Sequence, residues 1–481
     1  MKKAPAGGAG GPRRVTQKKR RNQRGVALVL VLGSIAIMTV LLTEFQDEAT
    51  GELSAALADR DALKAEYLAK SGINLSRLLI AAEPTMRQGL SLLFLGRTPP
   101  QIPVWEFSDR VLGAFNDKEG TADFAALTST DVTQGKNLGV EGGRFDVNIV
   151  DEDSKINVNL AARGDAFTQN RLAQQLLARM AGDQYSPLFE RRDRDDNFTD
   201  RATLCGAIID WADTDENLNP CDPFSASPST QASEDISYQL LKKPYFRKNA
   251  PYDSLEELHL VRGVGDDFWA TFVDPDPSKP KNRTMTVWGQ GAINVNTASP
   301  EALLAVVLAG SKTSKMWSDP LAQQNFLFAV RLLRNLTAGI PIFASGGEFI
   351  KAMQGQGMMG TMLKTMGLEP MVFESMNELT KAVTAESKVF SIYSDGIVPG
   401  YQRKTRVRIH AVIDFRKAPP PGTAGASPTP SASGSSGTPP PPPPTGQFGA
   451  SPGAAAGASP DAIQGALAAD PGGTFIYYRM E

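Results

Sequence analysis

An apolar run of 18 residues, Val26 to Thr43, follows a basic leader and constrains this chain more than any other feature. The first 24 residues carry nine Lys or Arg and no Asp or Glu. After Gly25 no charge appears until Glu44, and Gly33, Ser34 and Thr39 are the only small or polar breaks. At ~1.5 Å rise per residue such a helix is just long enough to cross a bilayer core. The excess of positive charge before the run predicts a cytoplasmic leader, with everything after Glu44 exported.

An ordinary secretory signal also places an apolar run behind basic residues, but it ends in a small-residue cleavage site. Leu41-Leu42-Thr43-Glu44-Phe45 offers none, and the small residue stands before the run, at Gly25. Cleavage there leaves the apolar helix on the mature chain, beginning at Val26 and with Leu30 as its fifth residue.

With 481 residues and 41% apolar content, the chain predicts two folded units with real cores. A net charge of −2 gives no global field towards nucleic acid. Only two cysteines occur, Cys205 and Cys221, both in the exported part, where disulfides persist. We expect them to pair, the alternative being two buried thiols. With only His259 and His410 in the chain, a zinc site is not expected.

From Thr43 to Glu83 the pattern predicts one continuing helix. Leu53, Leu57, Leu63, Tyr67, Leu68, Leu75, Leu78 and Leu79 recur near helical spacing, and Pro84 is expected to end it. Arg144 to Val150 and Lys155 to Leu160 alternate polar and apolar residues and read as strands around an Asp151-to-Ser154 turn. Helices are expected over Ala166 to Ala181, Thr203 to Ala212, Ser254 to Val261 and Leu321 to Leu336. Another begins at the Ser299 cap with Pro300 behind it. Strand character returns at Val389 to Ser394, where Asp395-Gly396 and Pro399-Gly400 punctuate, and at Lys404 to Phe415. Ala418 to Asp470 is Pro/Gly/Ala/Ser-rich, with six consecutive prolines from Pro439, and cannot bury a core. Thr474 to Arg479 reads as a last strand, so that tract is expected to be an insert in a hairpin loop.

The densest acidic cluster is Asp210-Trp211-Ala212-Asp213-Thr214-Asp215-Glu216-Asn217, with Asp222 beyond it. Asp213, Asp215 and Asn217 alternate as oxygen donors at the spacing a Ca²⁺ loop uses, although the Gly and the final Glu of a full EF-hand are missing. A solvated acidic loop is the alternative, and spacing leaves both open. Ser254 to Gly265 looks like a helix-hairpin-helix, and Asn294 to Leu304 like the entry to a second. In DNA-binding versions the hairpin amides hold phosphates. Asp266-Asp267 directly after this hairpin would repel them, so both units are read as structural. No Gly-x-Ser-x-Gly elbow, His-Glu-x-x-His or phosphate loop is present, and no enzyme activity is expected. Gly355 to Gly360 and the methionines from Met353 to Met366 read as a flexible loop and core filler.

Taken in order, these pieces resemble the K family of minor pseudopilins of type II secretion. The resemblance rests on Gly25 before the apolar run, Leu30, Lys155-Ile156-Asn157-Val158-Asn159, Ile208-Ile209-Asp210-Trp211-Ala212-Asp213, Ser254-Leu255-Glu256-Glu257-Leu258, Ile293-Asn294-Val295-Asn296-Thr297-Ala298 and the terminal strand. It implies cleavage after Gly25 by a prepilin peptidase and N-methylation of Val26. Leu30 stands where most pilins carry Glu. It implies an α+β fold: a long pilin-like N-terminal helix packed on an antiparallel sheet, with a large inserted, mainly α-helical domain.

The corresponding division is a leader (1–25), a membrane-spanning part (26–43), a first pilin-like part (44–160), an inserted helical domain (161–385), a second pilin-like part (386–417), the disordered insert (418–470) and the last strand (471–481). Implied partners are minor pseudopilins I and J, the pseudopilus fibre, the inner-membrane assembly platform and the prepilin peptidase, with no nucleic acid. The implied location is the bacterial inner membrane, single-pass, with the bulk periplasmic. The implied role is to cap the periplasmic pseudopilus and support protein export. Calcium is implied too, carried onto Asp213, Asp215, Asn217 and Asp222. A minor pilin of a type IV pilus or competence system is the alternative.

Overall fold

The computed structural model describes residues 24–91, 99–116, 142–192, 198–222, 230–241, 243–311, 314–337, 339–400, 403–419 and 470–481. The leader before Arg24, and the Pro/Gly/Ala/Ser tract between 420 and 469, lie outside the described residues. The chain divides into a unit up to Leu63 and a unit from Lys64 onwards. Helix α1, Arg24–Leu90, supplies all of the first unit's described residues and opens the second.

The second unit is α+β. Its four-stranded antiparallel sheet has the order β1 (Arg144–Asp151), β2 (Val389–Pro399), β3 (Lys404–Asp414), β4 (Thr474–Met480). Register follows side-chain alternation. Phe145, Val147, Ile149, Phe390, Ile392, Ile409, Ala411 and Ile413 turn to one face and pack with α1 and Trp105. Trp105 is 1% exposed, with its ring 4.6 Å from Phe390. The final strand pairs antiparallel with β3, although 59 residues separate Asp414 from Thr474 (474 − 414 − 1).

The face α1 presents to this core differs from the leucine pattern. Tyr67 and Leu78 are exposed, whereas Ala65, Leu68, Ala69, Ile73, Ser76, Ile80 and Ala81 are buried at three- and four-residue spacing. Ala65, Ala69, Gly72 and Ser76 keep part of this stripe small where the helix lies close on the sheet. A Cβ at Gly72 would run into the Ser394 hydroxyl, and one at Gly396 into the Ala65 carbonyl oxygen. Gly396 therefore sits inside β2 and is no turn. Asp395 beside it accepts from Arg406 (2.6 Å) and Arg408 (2.8 Å) of the neighbouring strand.

The helix also passes through Pro84 instead of stopping there. Proline removes a helical hydrogen bond and costs about 3 kcal/mol in a free helix. Here contacts on both sides hold it. Ile80 and Ala81 are buried before it, Glu83 accepts the Ile102 N–H at 3.0 Å, and Arg87 reaches Glu386 at 2.5 Å.

A second, larger core gathers helices α2 (Ala166–Met180), α3 (Arg201–Asp210), α4 (Pro300–Gly310) and α5 (Pro320–Leu336). Ser299 caps α4 by accepting the Ala302 N–H at 3.1 Å. Gly357–Thr365 is helical, so of the glycine-rich stretch only Gly355 and Gln356 lie in a connection. Leu255–Leu260 is 3-10, not α. Its i, i+3 eclipse aligns the buried pair Leu255 and Leu258.

Lys155 to Leu160 does not form the expected strand. Only Ile156–Asn157 pairs, parallel to Met285–Thr286, and Val158–Arg163 turns into a 3-10 helix. Side-chain amides replace the ladder. Asn157 accepts the Asn159 N–H (2.9 Å), and Asn159 both accepts the Tyr252 N–H (2.7 Å) and donates to its carbonyl (2.9 Å). Ile293-Asn294-Val295-Asn296 repeats the device. Asn294 accepts the Asn296 N–H (2.9 Å), and Asn296 accepts from Phe343 (3.1 Å) and donates to its carbonyl (2.9 Å).

The Asp151-to-Ser154 turn is a buried one-turn 3-10 helix between the two cores. Asp151 accepts from Ser387 and Thr297 hydroxyls, both at 2.5 Å. Asp153 accepts the Gln290, Lys388 and Val389 N–H groups at 2.8, 2.7 and 3.1 Å. Glu152 pairs with Lys155 at 3.3 Å. Burial pushes Asp151 up to about 7 and Asp153 up to about 6.

Two predictions follow from this packing. Gly396→Ala is expected to cost about 3 kcal/mol or more, because backbone is the obstacle, whereas Gly89→Ala, with open space around it, is expected to be neutral or stabilising by up to ~1 kcal/mol. Denaturant unfolding of both variants checks this, and equal midpoints would refute the close approach. The raised folded-state values of Asp151 and Asp153 contribute stability that is full below about pH 4 and lost as pH rises through 6 to 7. The Tm of Asp151→Asn relative to the parent should therefore move in the variant's favour between pH 5 and pH 8. A flat or opposite trend refutes that sign.

Candidate functional site

Gly25, Val26 and Leu30 all lie in the first two turns of α1. The helix they open is long and apolar enough to cross a membrane. Its two hydroxyls before Thr43 are satisfied internally: Ser34 donates to the Leu30 carbonyl (2.9 Å) and Thr39 to that of Ile35 (2.7 Å). Neither therefore carries an unmet hydrogen bond into hydrocarbon. Val26, Leu28, Val29 and Leu30 are all more than half exposed within the chain.

The other candidate lies at the end of α3. Asp200 caps that helix by accepting the Thr203 N–H (2.7 Å), and its apolar residues Leu204, Ile208 and Ile209 are buried in the larger core. Burial of Ile208 and Ile209 carries Asp210 inward, where it is 2% exposed. The chain then turns, bringing in Asp213, also 2% exposed. A short hairpin, Asn217–Leu218 against Thr230–Ser233, returns Glu234 at 3%. Carboxylate oxygens of Asp210, Asp213 and Glu234 lie within 4.8 Å of one another.

Three buried carboxylates in one place is costly, and the local hydrogen bonds do not offset it. Asp210 accepts the Asn219 N–H (2.9 Å), and Asp213 receives one long bond, 3.3 Å, from the Gln169 amide. The other Asp213 oxygen is buried without a hydrogen-bond partner. Arg247 contacts Glu234 and donates to the backbone oxygens of Asp210 (3.4 Å) and Asp215 (2.7 Å). Desolvation, then neighbouring charge, pushes Asp210 up to about 8 and Asp213 up to about 7. With all three ionised, the carboxylates and the Arg247 guanidinium sum to −2. A hard divalent cation with oxygen ligands fits that charge and the orphaned oxygen.

Of the four residues onto which the resemblance carries calcium, only Asp213 is in this cluster. Asp215 is exposed and accepts the Asn217 N–H (2.8 Å); Asn217 is exposed in the first strand of the hairpin; Asp222 is exposed between its two strands. Asp210 and Glu234 were not among the expected ligands. Asp210 heads the acidic cluster, and its place at the end of an apolar helix was the available signal. Glu234 carried none, since a hairpin delivers it.

A disulfide joins Cys205 to Cys221, with Cα atoms 5.9 Å apart, closing a loop of separation 16 around Asp210 and Asp213. In the chain-entropy account that closure contributes ~3 kcal/mol. At the first hairpin unit Asp266 and Asp267 are exposed, and Asp267 contacts Arg191. His259 stacks on Trp269 with centroids 4.2 Å apart. His410 stacks on Tyr393 at 4.1 Å, and burial lowers it to about 4. It borders a polar cleft of about 940 Å³ on the sheet face opposite α1, with Glu256, Arg283, Trp288 and Tyr477.

No family model and no curated protein matches this chain. Among solved structures it is similar to the GspK-GspI-GspJ complex of the type 2 secretion system from enterotoxigenic Escherichia coli. The identity is 14% and the TM-score 0.35, over 57% of this chain and 76% of that one.

Calcium is expected to raise the Tm of the parent chain over its value in chelator, by the equivalent of about 2.7 kcal/mol at one hundred times Kd. Asp213→Asn should remove that response and, at pH 8, be the more stable chain in chelator, because it removes a buried charge. A calcium response that survives in Asp213→Asn would exclude the cluster as the binding site.

Proposed function

We propose that this chain is a minor pseudopilin of type II secretion of the K kind, capping the tip of the periplasmic pseudopilus. The observation that carries the reading is the junction at Gly25: a basic leader, a glycine, then an apolar helix that continues unbroken into a helix packed on an antiparallel sheet. A prepilin peptidase cuts after Gly25 and methylates Val26, and the apolar helix stays on the mature protein as a single inner-membrane span with the bulk periplasmic. Leu30 leaves no carboxylate to pair with the terminal amine of a neighbouring subunit, which suits a position with no subunit above it. Partners on this reading are minor pseudopilins I and J, the pseudopilus fibre and the assembly platform.

On this reading the inserted helical domain, expected over 161–385, would be the larger core, which also takes in Ile156, Val158 and Leu160, and it would give the tip its bulk. Asp210, Asp213 and Glu234 hold calcium, which steadies the hairpin between residues 217 and 233. The chain performs no catalysis. A DNA-handling pilin is disfavoured by Asp266 and Asp267 at the place where a phosphate would sit.

In cells with an active prepilin peptidase, the mature chain is expected to start at methylated Val26, and Gly25→Ala to retain the leader. N-terminal sequencing and intact mass decide this. An uncut parent chain, or a cut after Leu42, overturns the reading.

A further inference from the structure

We propose that the Cys205–Cys221 disulfide and the carboxylate cluster are thermodynamically coupled: the cation binds tightly only while the disulfide is intact, and a bound cation protects the disulfide from reduction. The inference rests on reading the cluster as a cation site. It goes beyond that reading by making the site's affinity depend on redox state.

The coupling runs through a short chain of contacts. Cys205 lies inside α3 and is fully buried, so it is a fixed post. Cys221 is 2% exposed and held in the left-handed region, with φ 44°, which a non-glycine residue adopts only under constraint. The Cys221 N–H donates to the Asn219 side-chain oxygen at 2.9 Å, and the Asn219 N–H donates to the Asp210 carboxylate at 2.9 Å. The disulfide thus sets the position of Asn219, and Asn219 orients Asp210. Upstream of Asn219, Asn217 pairs with Ser233, and Glu234 is the next residue. One covalent link therefore fixes the orientation of one ligand and the arrival of another, while Asp213 lies within the loop it closes.

Without the link, the segment from Asp213 to Cys221 is anchored only at its start, by the burial of Trp211 and Ala212 in the larger core, and by a few hydrogen bonds, against the mutual repulsion of Asp210, Asp213 and Glu234. Opening the disulfide takes two electrons and two protons. A dithiol supplies both, becoming its cyclic disulfide as Cys205 and Cys221 become thiols. Because the linkage is reciprocal, a cation that binds the oxidised form more tightly shifts this equilibrium towards the disulfide by the same factor.

The test uses the full chain in detergent micelles. Calcium affinity of the oxidised protein is measured first by calorimetry. The protein is then equilibrated at graded dithiothreitol to oxidised-dithiothreitol ratios, in chelator or in calcium at one hundred times the measured Kd. Thiols are alkylated under denaturing conditions and counted by mass. Calcium is expected to raise the ratio needed for half-reduction tenfold or more, and to leave it unchanged in Asp213→Asn, whose disulfide is intact. A shift under tenfold in the parent chain, despite calcium binding to the oxidised form, overturns the coupling. Absence of calcium binding by the oxidised form overturns the cation reading itself. No cysteine variant need fold for either outcome.

Discussion

The buried acidic turn Asp151-Glu152-Asp153 is the interaction on which the rest of the large unit depends. It stands where β1 ends, and its side chains reach β2, the segment from Met285 to Thr297, and Lys155. Each carboxylate is desolvated, which is unfavourable by itself. The fold offsets this by aiming backbone N–H groups and hydroxyls at the oxygens. Asp153 alone accepts three backbone N–H groups from residues on two distant segments. An interior polar network of this kind specifies one arrangement, because any slip leaves a buried charge unpaired. It therefore sets how the sheet core and the helical core meet.

The paired Asn-Val-Asn segments work by the same logic with neutral groups. Asn157 and Asn294 each turn the chain by capping the residue two ahead, and Asn159 and Asn296 each mimic a strand partner for a remote backbone segment. The two segments thereby dock long connections without a continuous sheet. The cluster of Asp210, Asp213 and Glu234 differs, because its oxygens lack enough donors. That contrast separates an acidic network satisfied by the protein from a cluster left short of donors. Burial and acidity are alike in both; hydrogen-bond satisfaction tells them apart.

Much of this was legible locally. The apolar run, the alternation of β1 and β3, the cap at Ser299 and the strand after the Pro/Gly-rich tract are set by neighbours within a few residues, so periodicity and capping chemistry find them. Where reading failed, a distant contact had overridden a local preference. Pro84 stays helical because Glu83 and Arg87 are tied to Ile102 and Glu386. Lys155 to Leu160 gives up its strand because Asn159 finds better partners at Tyr252 and Val287. On α1, Leu68, Leu75 and Leu79 of the expected stripe pack in the sheet core while Tyr67 and Leu78 face out, and close approach to the sheet places Ala65, Ala69, Gly72 and Ser76 between them.

By itself the sequence determined the order of features along the chain: a basic stretch, Gly25, an apolar run long enough to cross a membrane, and a mixed remainder with real cores. Those are properties of composition and order, and they hold whatever the fold. The tertiary structure alone decided which acids meet. Glu234 stands 24 residues beyond Asp210 (234 − 210), and its register in a hairpin brings it back, while Asp215 and Asn217, which share the alternating spacing of Asp213, and Asp222 lie outside. Spacing along a loop counts candidate oxygens. Burial decides which of them lose water.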